Sequence, residues 1–208
     1  QEARAHFGLD PDAFVIIGVG RLDPIKNFSL LIRSFAQVLK IRPDAKLVFA
    51  GEGAEKTRLL RLAEELHIAE HVIFLGNITN VSRLYSAADV LGLTSITEAL
   101  PLVVLEAQFC GLRCIVSDGV PSESILLESS RKMPAGASPE AWAEKALSLV
   151  SETRACTGDA LRNRGYDIAS VARELMGLTF GGGREDACLS RQCPHQGTQC
   201  AIHLYLRR

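Results

Sequence analysis

Four charged side chains in two stretches of this sequence have the types and spacing for chemistry on an anionic, polyhydroxylated ligand. The first stretch, Gly18-Val19-Gly20-Arg21-Leu22-Asp23-Pro24-Ile25-Lys26-Asn27, carries two cations just ahead of an apolar, helix-patterned run. Glycines let the backbone turn tightly, and fixed positive charge beside a helix N-terminus suits a diphosphate. The stretch is not a G-x-G-x-x-G dinucleotide fingerprint, because Asp23 holds the last position and would repel phosphate. A turn with two solvated cations fits this loop equally well. The second stretch, Ser95–Ala107, holds Glu98 and, eight residues on, Glu106. Glu106 lies between Leu105 and Ala107 in an apolar helical segment, a poor place for a carboxylate without a partner. The vicinal diol of a ribose would be a good partner, since a carboxylate accepts from both hydroxyls. Taken singly, Glu106 also reads as a salt-bridged structural acid and Glu98 as a surface loop acid.

These residues need elements that bring them together. Strand patterns cover Phe14–Val19, Lys46–Ala50, His71–Leu75, Asp89–Leu93 and Leu112–Ser117. Helical spacing covers a run capped by Asn27 and stopped near Pro43, then Ala54–His67, Val81–Ala87, Pro101–Cys110, Pro139–Ser151, Asp159–Arg164 and Ser170–Leu175. Pro101 suits the first position of its helix and Gly111 its end. Strands alternating with helices, and nearly continuously apolar, predict a Rossmann-like α/β three-layer sandwich with a mainly parallel sheet. Ligands bind such sheets at the carboxyl ends of the strands. The site is therefore expected among Gly20–Asn27, Gly51–Lys56, Gly76–Val81, Ser95–Val103 and Asp118–Glu123.

Composition narrows the classes. The chain has 208 residues, 47% hydrophobic and 23% charged, which suits one globular domain and a piece and excludes a disordered chain. A net charge of -1 argues against broad nucleic-acid binding. No apolar run approaches the roughly 18 residues of a membrane span. Gln1–Phe7 has no signal-peptide core, and the sparse thiols Cys110, Cys114 and Cys156 fit a reducing cytoplasm.

Read in order, Gly20-Arg21-Leu22, Lys26-Asn27, Leu47–Gly53, Phe74-Leu75-Gly76, Tyr85-Ser86-Ala87-Ala88-Asp89, Glu98, Glu106-Ala107, Gly111 and Val116-Ser117-Asp118 resemble the C-terminal half of retaining glycosyltransferases of family 4. Glu98-Ala99-Leu100-Pro101 and Ser138–Ala143 look most like the exopolysaccharide or capsule-synthesis branch. The resemblance covers about Phe7 to Leu178 and implies one half of a GT-B fold. It implies that Arg21 and Lys26, next to Gly20, hold the diphosphate of a nucleotide-sugar donor, UDP-linked, without an obligatory metal. Glu106 would bind the ribose, and Glu98 the donor sugar or its oxocarbenium-like transition state. The backbone N–H groups of Leu102 and Val103 would face the phosphates, and Gly76-Asn77 would lie beside the base. Glu123 matches a recurrent acid of unassigned role. The implied reaction is hexosyl transfer to a saccharide or lipid-linked acceptor.

The sequence departs from the family in three places. Ala99 replaces a usual glycine, at a cost of about 1 kcal/mol if φ is positive there. Arg131–Gly136, where the family has a further strand, is short and contains Pro134, which predicts a frayed edge. The acceptor domain is absent, so residues 1–10 read as a linker remnant and the chain as a binder that does not transfer sugar alone. Peripheral attachment at the inner face of the membrane would come through that missing half. His6, His67 and His71 match no catalytic position: His6 falls in the linker region, and His67 and His71, flanking a helix–strand junction, read as structural or surface residues.

Two other readings remain: a non-catalytic nucleotide-sugar-binding subunit with a separate acceptor-domain partner, and an NAD-dependent enzyme. The second is disfavoured by Asp23 and by Lys56, which stands where Gly51-Glu52-Gly53 would need a third glycine. Domain 1–178 is followed by a tail, 179–208, read as unstructured. Its Cys188, Cys193, His195, Cys200 and His203 could ligate zinc, but C-x4-C without a paired C-x2-C knuckle is not a usual zinc spacing.

Overall fold

The computed structural model describes residues 2–128 and 130–149. Six parallel strands form one sheet in the order β3-β2-β1-β4-β5-β6: β1 Val15–Val19, β2 Lys46–Ala50, β3 Val72–Phe74, β4 Val90–Leu93, β5 Arg113–Ser117 and β6 Arg131–Met133. The helices are α1 Glu2–His6, α2 Phe28–Leu39, α3 Lys56–Glu65, α4 Val81–Ala87, α5 Leu102–Phe109 and α6 Pro139–Ser148. This is the expected Rossmann-like α/β arrangement.

The period of two in the strands assigns the layers. Ile16, Leu47, Phe49, Val90 and Ile115 face one side, where they meet Leu31, Ile32, Phe35 and Val38 of α2, Leu59 and Leu62 of α3, and Trp142 of α6. Val15, Ile17, Val19, Val48, Leu91, Leu93, Cys114 and Val116 face the other side, against Leu84 and Tyr85 of α4 and Val104 and Ala107 of α5. Both faces are covered, so the central strands are apolar throughout. Phe49 anchors the first layer, with Phe28 edge-on and Phe74 stacked, each 5.0 Å away between ring centres. Truncating an aromatic at such a position costs about 3–5 kcal/mol through lost contacts and the cavity left behind.

Several boundaries differ from the sequence reading for local reasons. Asn27 precedes α2 as expected but does not cap it through its side chain; at φ 49° it is a left-handed residue joining α2 to a 3-10 turn, Pro24–Lys26. Pro101 stands just before α5 and not inside it. The helix expected over Ala54–His67 is shorter at both ends, and His67 closes it at φ 57°. The edge expected to fray carries β6, in parallel register with Ile115–Ser117 of β5 and ending just before Pro134. Pro134 has no N–H to donate, so a strand stops ahead of it.

The segment read as a linker remnant holds α1, which packs on α4. Arg4 fastens it: Nε donates to the Ala87 carbonyl at 3.0 Å, Nη1 to the Ala13 carbonyl at 2.8 Å, and Nη2 to Asp89 Oδ2 at 2.8 Å. Asp89 also accepts the Val15 N–H at 2.8 Å, so one carboxylate ties α1 to the start of β1. The helices expected over 159–164 and 170–175, the domain end near 178 and the tail lie outside the described residues. Among the described residues no helix is long and apolar enough to cross a membrane.

Candidate functional site

At the carboxyl edge, the loops after β1 and β4 meet. Polar groups at the strand ends hold them together. The Thr94 hydroxyl lies 3.0 and 2.9 Å from the carbonyls of Lys26 and Asn27. The Ile96 N–H donates to the Ile25 carbonyl at 2.8 Å, and the Glu98 N–H to the Gly119 carbonyl at 3.0 Å. Ser117 Oγ donates to the Ser95 carbonyl, joining the ends of β4 and β5. Two glycines are needed for these approaches. A Cβ at Gly51, which has φ 139°, would run into the Gly20 carbonyl, and one at Gly119 into that of Ile96.

This framework places Lys26 Nζ 2.6 Å from Glu98 Oε1, joining residues 72 apart in sequence. The two side chains are only 16% and 13% exposed, so the pair is largely withdrawn from water. Ser95 Oγ donates to the same Glu98 oxygen at 2.6 Å. Lys26 lies over Gly20, where an added Cβ would stand 3.7 Å from the ammonium nitrogen. Asp23 accepts the Lys26 N–H at 3.3 Å and pairs with Arg21 at 3.0 Å. Arg21 is 82% exposed and free to swing, since an ion pair in water holds a side chain weakly. Arg21, Ile25, Lys26, Thr97, Glu98 and Ala99 line an open crevice of about 490 Å³. Ala99 is accommodated without the strain considered for it: among the described residues the non-glycine positions at positive φ are Asn27 and His67.

Glu106 occupies a second, different environment. It projects from α5, half-buried, and accepts a hydrogen bond from Tyr85 Oη at 2.8 Å. Burial pushes its carboxyl above the usual range, opposed by the Tyr85 hydrogen bond. Among the described residues Glu106 forms no ion pair, so the salt-bridged alternative is replaced by a phenol–carboxylate contact. At the start of α5 the Leu102 N–H donates to the Leu100 carbonyl at 3.0 Å, which engages one of the two amides expected to face phosphate. The Val103 N–H has no such bond among the described residues. Gly76, at φ 69°, accepts the Gly51 N–H at 2.8 Å, and Asn77 beside it is exposed. Glu123 sits exposed in a 3-10 turn after β5.

Spacing could not reveal three residues that shape the site. Ser95 and Tyr85 stand in the quoted motifs, but nothing local marks their hydroxyls as partners of the two acids. Gln108 is buried on α5, donates to the Val104 and Ser124 carbonyls, and accepts from the N–H groups of Leu126 and Leu127. A glutamine in a helix whose one other polar residue is Glu106 was its signal. Of the histidines, His71 places Nδ1 3.1 Å from the Ala45 carbonyl. Among the described residues no His, Cys, Asp and Glu cluster could hold a metal ion. The tail cysteines lie outside them.

A parallel sheet whose carboxyl-edge loops gather cations, acids and a helix start defines the class: a Rossmann-like α/β domain. Residues 1–165 match the family described as glycosyl transferases group 1, and the chain belongs to it. D-inositol 3-phosphate glycosyltransferase of Segniliparus rotundus is 30% identical over 157 residues, 72% of this chain and 35% of that protein. N-acetyl-alpha-D-glucosaminyl L-malate synthase of Bacillus anthracis is 32% identical over 114 residues, 55% of this chain and 30% of that protein. The chain thus spans about a third of the length of these curated relatives. Among solved structures, Anabaena HepE in complex with UDP and glucose superposes with a TM-score of 0.73 at 20% identity, over 86% of this chain and 50% of that one. The C-terminal domain of a glycosyl transferase group 1 family protein from Francisella tularensis gives a TM-score of 0.68 at 21% identity, over 79% and 92%. The fold is that of one half of the GT-B glycosyltransferases.

Proposed function

We propose that this chain is the donor-binding part of a retaining glycosyltransferase of family 4, of the exopolysaccharide or capsule-synthesis branch. It would take a UDP-linked hexose for transfer to a saccharide or lipid-linked acceptor held by a companion domain. The observation that carries this reading is the Lys26–Glu98 pair, 2.6 Å apart and open to the crevice that Arg21 also lines. An ammonium and a carboxylate at the ends of β1 and β4 suit the two parts of a nucleotide sugar, its diphosphate and its sugar hydroxyls.

In this reading the diphosphate competes with Glu98 for the Lys26 ammonium. Lys26 and Arg21 then stabilise the charge that grows on the leaving diphosphate, in a role that needs no divalent metal. Released from Lys26, Glu98 turns to the donor sugar while Ser95 limits its swing. The Val103 N–H, at the positive end of α5, adds a donor to phosphate. Glu106 accepts the ribose hydroxyls, and Gly76-Asn77 borders the base. Retention follows if the departing diphosphate shields one face and assists attack on the same face. The family resemblance and the UDP-bound HepE structure support the choice of UDP over other nucleotides. The family resemblance also supports a cytoplasmic location, with any membrane attachment made by the companion domain.

Calorimetric titration of the chain with UDP, UDP-glucose, UDP-N-acetylglucosamine, GDP-mannose and NAD tests this reading. Saturable binding of UDP and a UDP-sugar is expected, unchanged by a metal chelator. Binding of NAD alone would overturn it.

A further inference from the structure

The two acids of the site are held by unlike means, and the difference gives Tyr85 a role. Glu98 has a cation and a serine on one oxygen. Glu106 has a buried phenol, with Tyr85 1% exposed and its Oη 2.8 Å from Oε2. Tyr85 cannot swing away, because its ring belongs to the packed layer formed with Leu84, Val104 and Ala107. Its segment is also fixed from below: the Ala87 carbonyl and Asp89 carboxylate both receive Arg4, and Asp89 receives the Val15 N–H. The run Tyr85–Asp89 is therefore a strut between the base of the sheet and the acid on α5. A phenol donates a single proton, so it occupies one carboxylate oxygen and leaves the other.

We propose that Tyr85 is a positioning residue that holds Glu106 Oε2 and thereby presents Oε1 to the ribose diol of the bound nucleotide. This rests on the reading that Glu106 accepts that diol. A carboxylate free to rotate would lose conformational entropy on binding, whereas a tethered one has already lost it. Donation by Tyr85 also favours the ionised form of Glu106 against burial, and the ionised form is the one that accepts from hydroxyls. Among the described residues, the Cys110 and Cys114 thiols also act on Tyr85, and burial pushes Cys114 up to about 12, so it stays neutral.

The test compares UDP with 2′,3′-dideoxy-UDP on the 208-residue chain across pH, in the wild type, Tyr85→Phe and Glu106→Gln. The ratio of the two affinities isolates the diol and cancels titration of the phosphates. The wild type should prefer UDP, with the preference falling as pH drops and Glu106 takes a proton. Tyr85→Phe should cut the preference about tenfold at neutral pH, the scale of one hydrogen bond to a charged group. It should also move the midpoint of the pH profile upward, because the bond that favoured ionisation is gone. A purely structural defect would weaken both ligands alike and leave the midpoint in place. Glu106→Gln should lose the pH dependence of the preference altogether, which tests the pair even if Tyr85→Phe does not fold. Retention of that dependence in Glu106→Gln would overturn the proposal. A wild type that discriminates beside a Tyr85→Phe that is unchanged would overturn the role of Tyr85 alone. A wild type that binds both nucleotides equally would overturn the placement of the ribose at Glu106, and the proposal with it.

Discussion

Two ion pairs stand at opposite ends of the same sheet, similar in length and different in kind. At the base, Arg4 and Asp89 lie 2.8 Å apart, and Arg4 also serves the carbonyls of Ala13 and Ala87 while Asp89 takes the Val15 N–H. At the carboxyl edge, Lys26 and Glu98 lie 2.6 Å apart beside an open crevice, with Ser95 on the same Glu98 oxygen. The basal pair is woven into backbone groups: the carbonyls of Ala13 and Ala87 and the N–H of Val15. The upper pair consists of two charges that a ligand of the right chemistry can separate. Burial alone would not tell them apart: Arg4 is 15% exposed and Lys26 16%. What distinguishes them is the number of fixed partners.

That contrast can be broken experimentally. Arg4→Ala should have the largest effect and act on stability, because it takes the cation from Asp89 and one donor from each of the Ala13 and Ala87 carbonyls. A loss of about 2–4 kcal/mol is expected in denaturant unfolding, with UDP affinity of the folded protein unchanged. Lys26→Ala should act the other way, weakening UDP by about 1.5–3 kcal/mol in calorimetry; Arg21→Ala should fall at the lower end, since its side chain is 82% exposed. Raising salt should weaken UDP binding through these cations and leave the melting temperature nearly unmoved.

Glu106 sharpens the same distinction between groups that hold the fold and groups held at its expense. Its raised pKa means the folded state keeps the proton better than the unfolded chain does. The stability contributed there is present at low pH and is lost as pH rises from the ordinary glutamate value through the raised one. Glu106→Gln should therefore melt higher than the wild type near neutral pH, a difference that shrinks on acidification. Ala99→Gly should have the smallest effect. Ala99 is not among the residues at positive φ, so glycine relieves no strain and costs at most about 1 kcal/mol through the unfolded chain, without changing UDP affinity.

The sheet was legible in the sequence because its strands are apolar on both faces and its loops carry glycine or proline. Lys46–Ala50 and Val81–Ala87 match the sequence reading at both ends. Three features were not legible, each for a physical reason. A left-handed Asn27 and a capping Asn27 have the same local sequence, and only the 3-10 turn before it decides between them. The strand Arg131–Met133 has three residues and no alternation to read; pairing with β5 forms it. α1 is held by Arg4, whose partners at Ala87 and Asp89 lie 83 and 85 residues away. In the site, the charged residues were visible by type and loop position. Their partners Tyr85 and Ser95 are ordinary residues of a helix and a strand end until the fold brings them against the acids.

Titration of UDP into the wild-type chain and into Lys26→Ala tests the central claim most directly: that the carboxyl-edge pair, and not the basal one, is built to be exchanged for a ligand. The expected result is saturable single-site binding in the wild type and affinity about ten- to a hundredfold weaker in Lys26→Ala, with both proteins fully folded at the temperature of measurement. No binding by the wild type, or equal affinity in the two proteins, would contradict it.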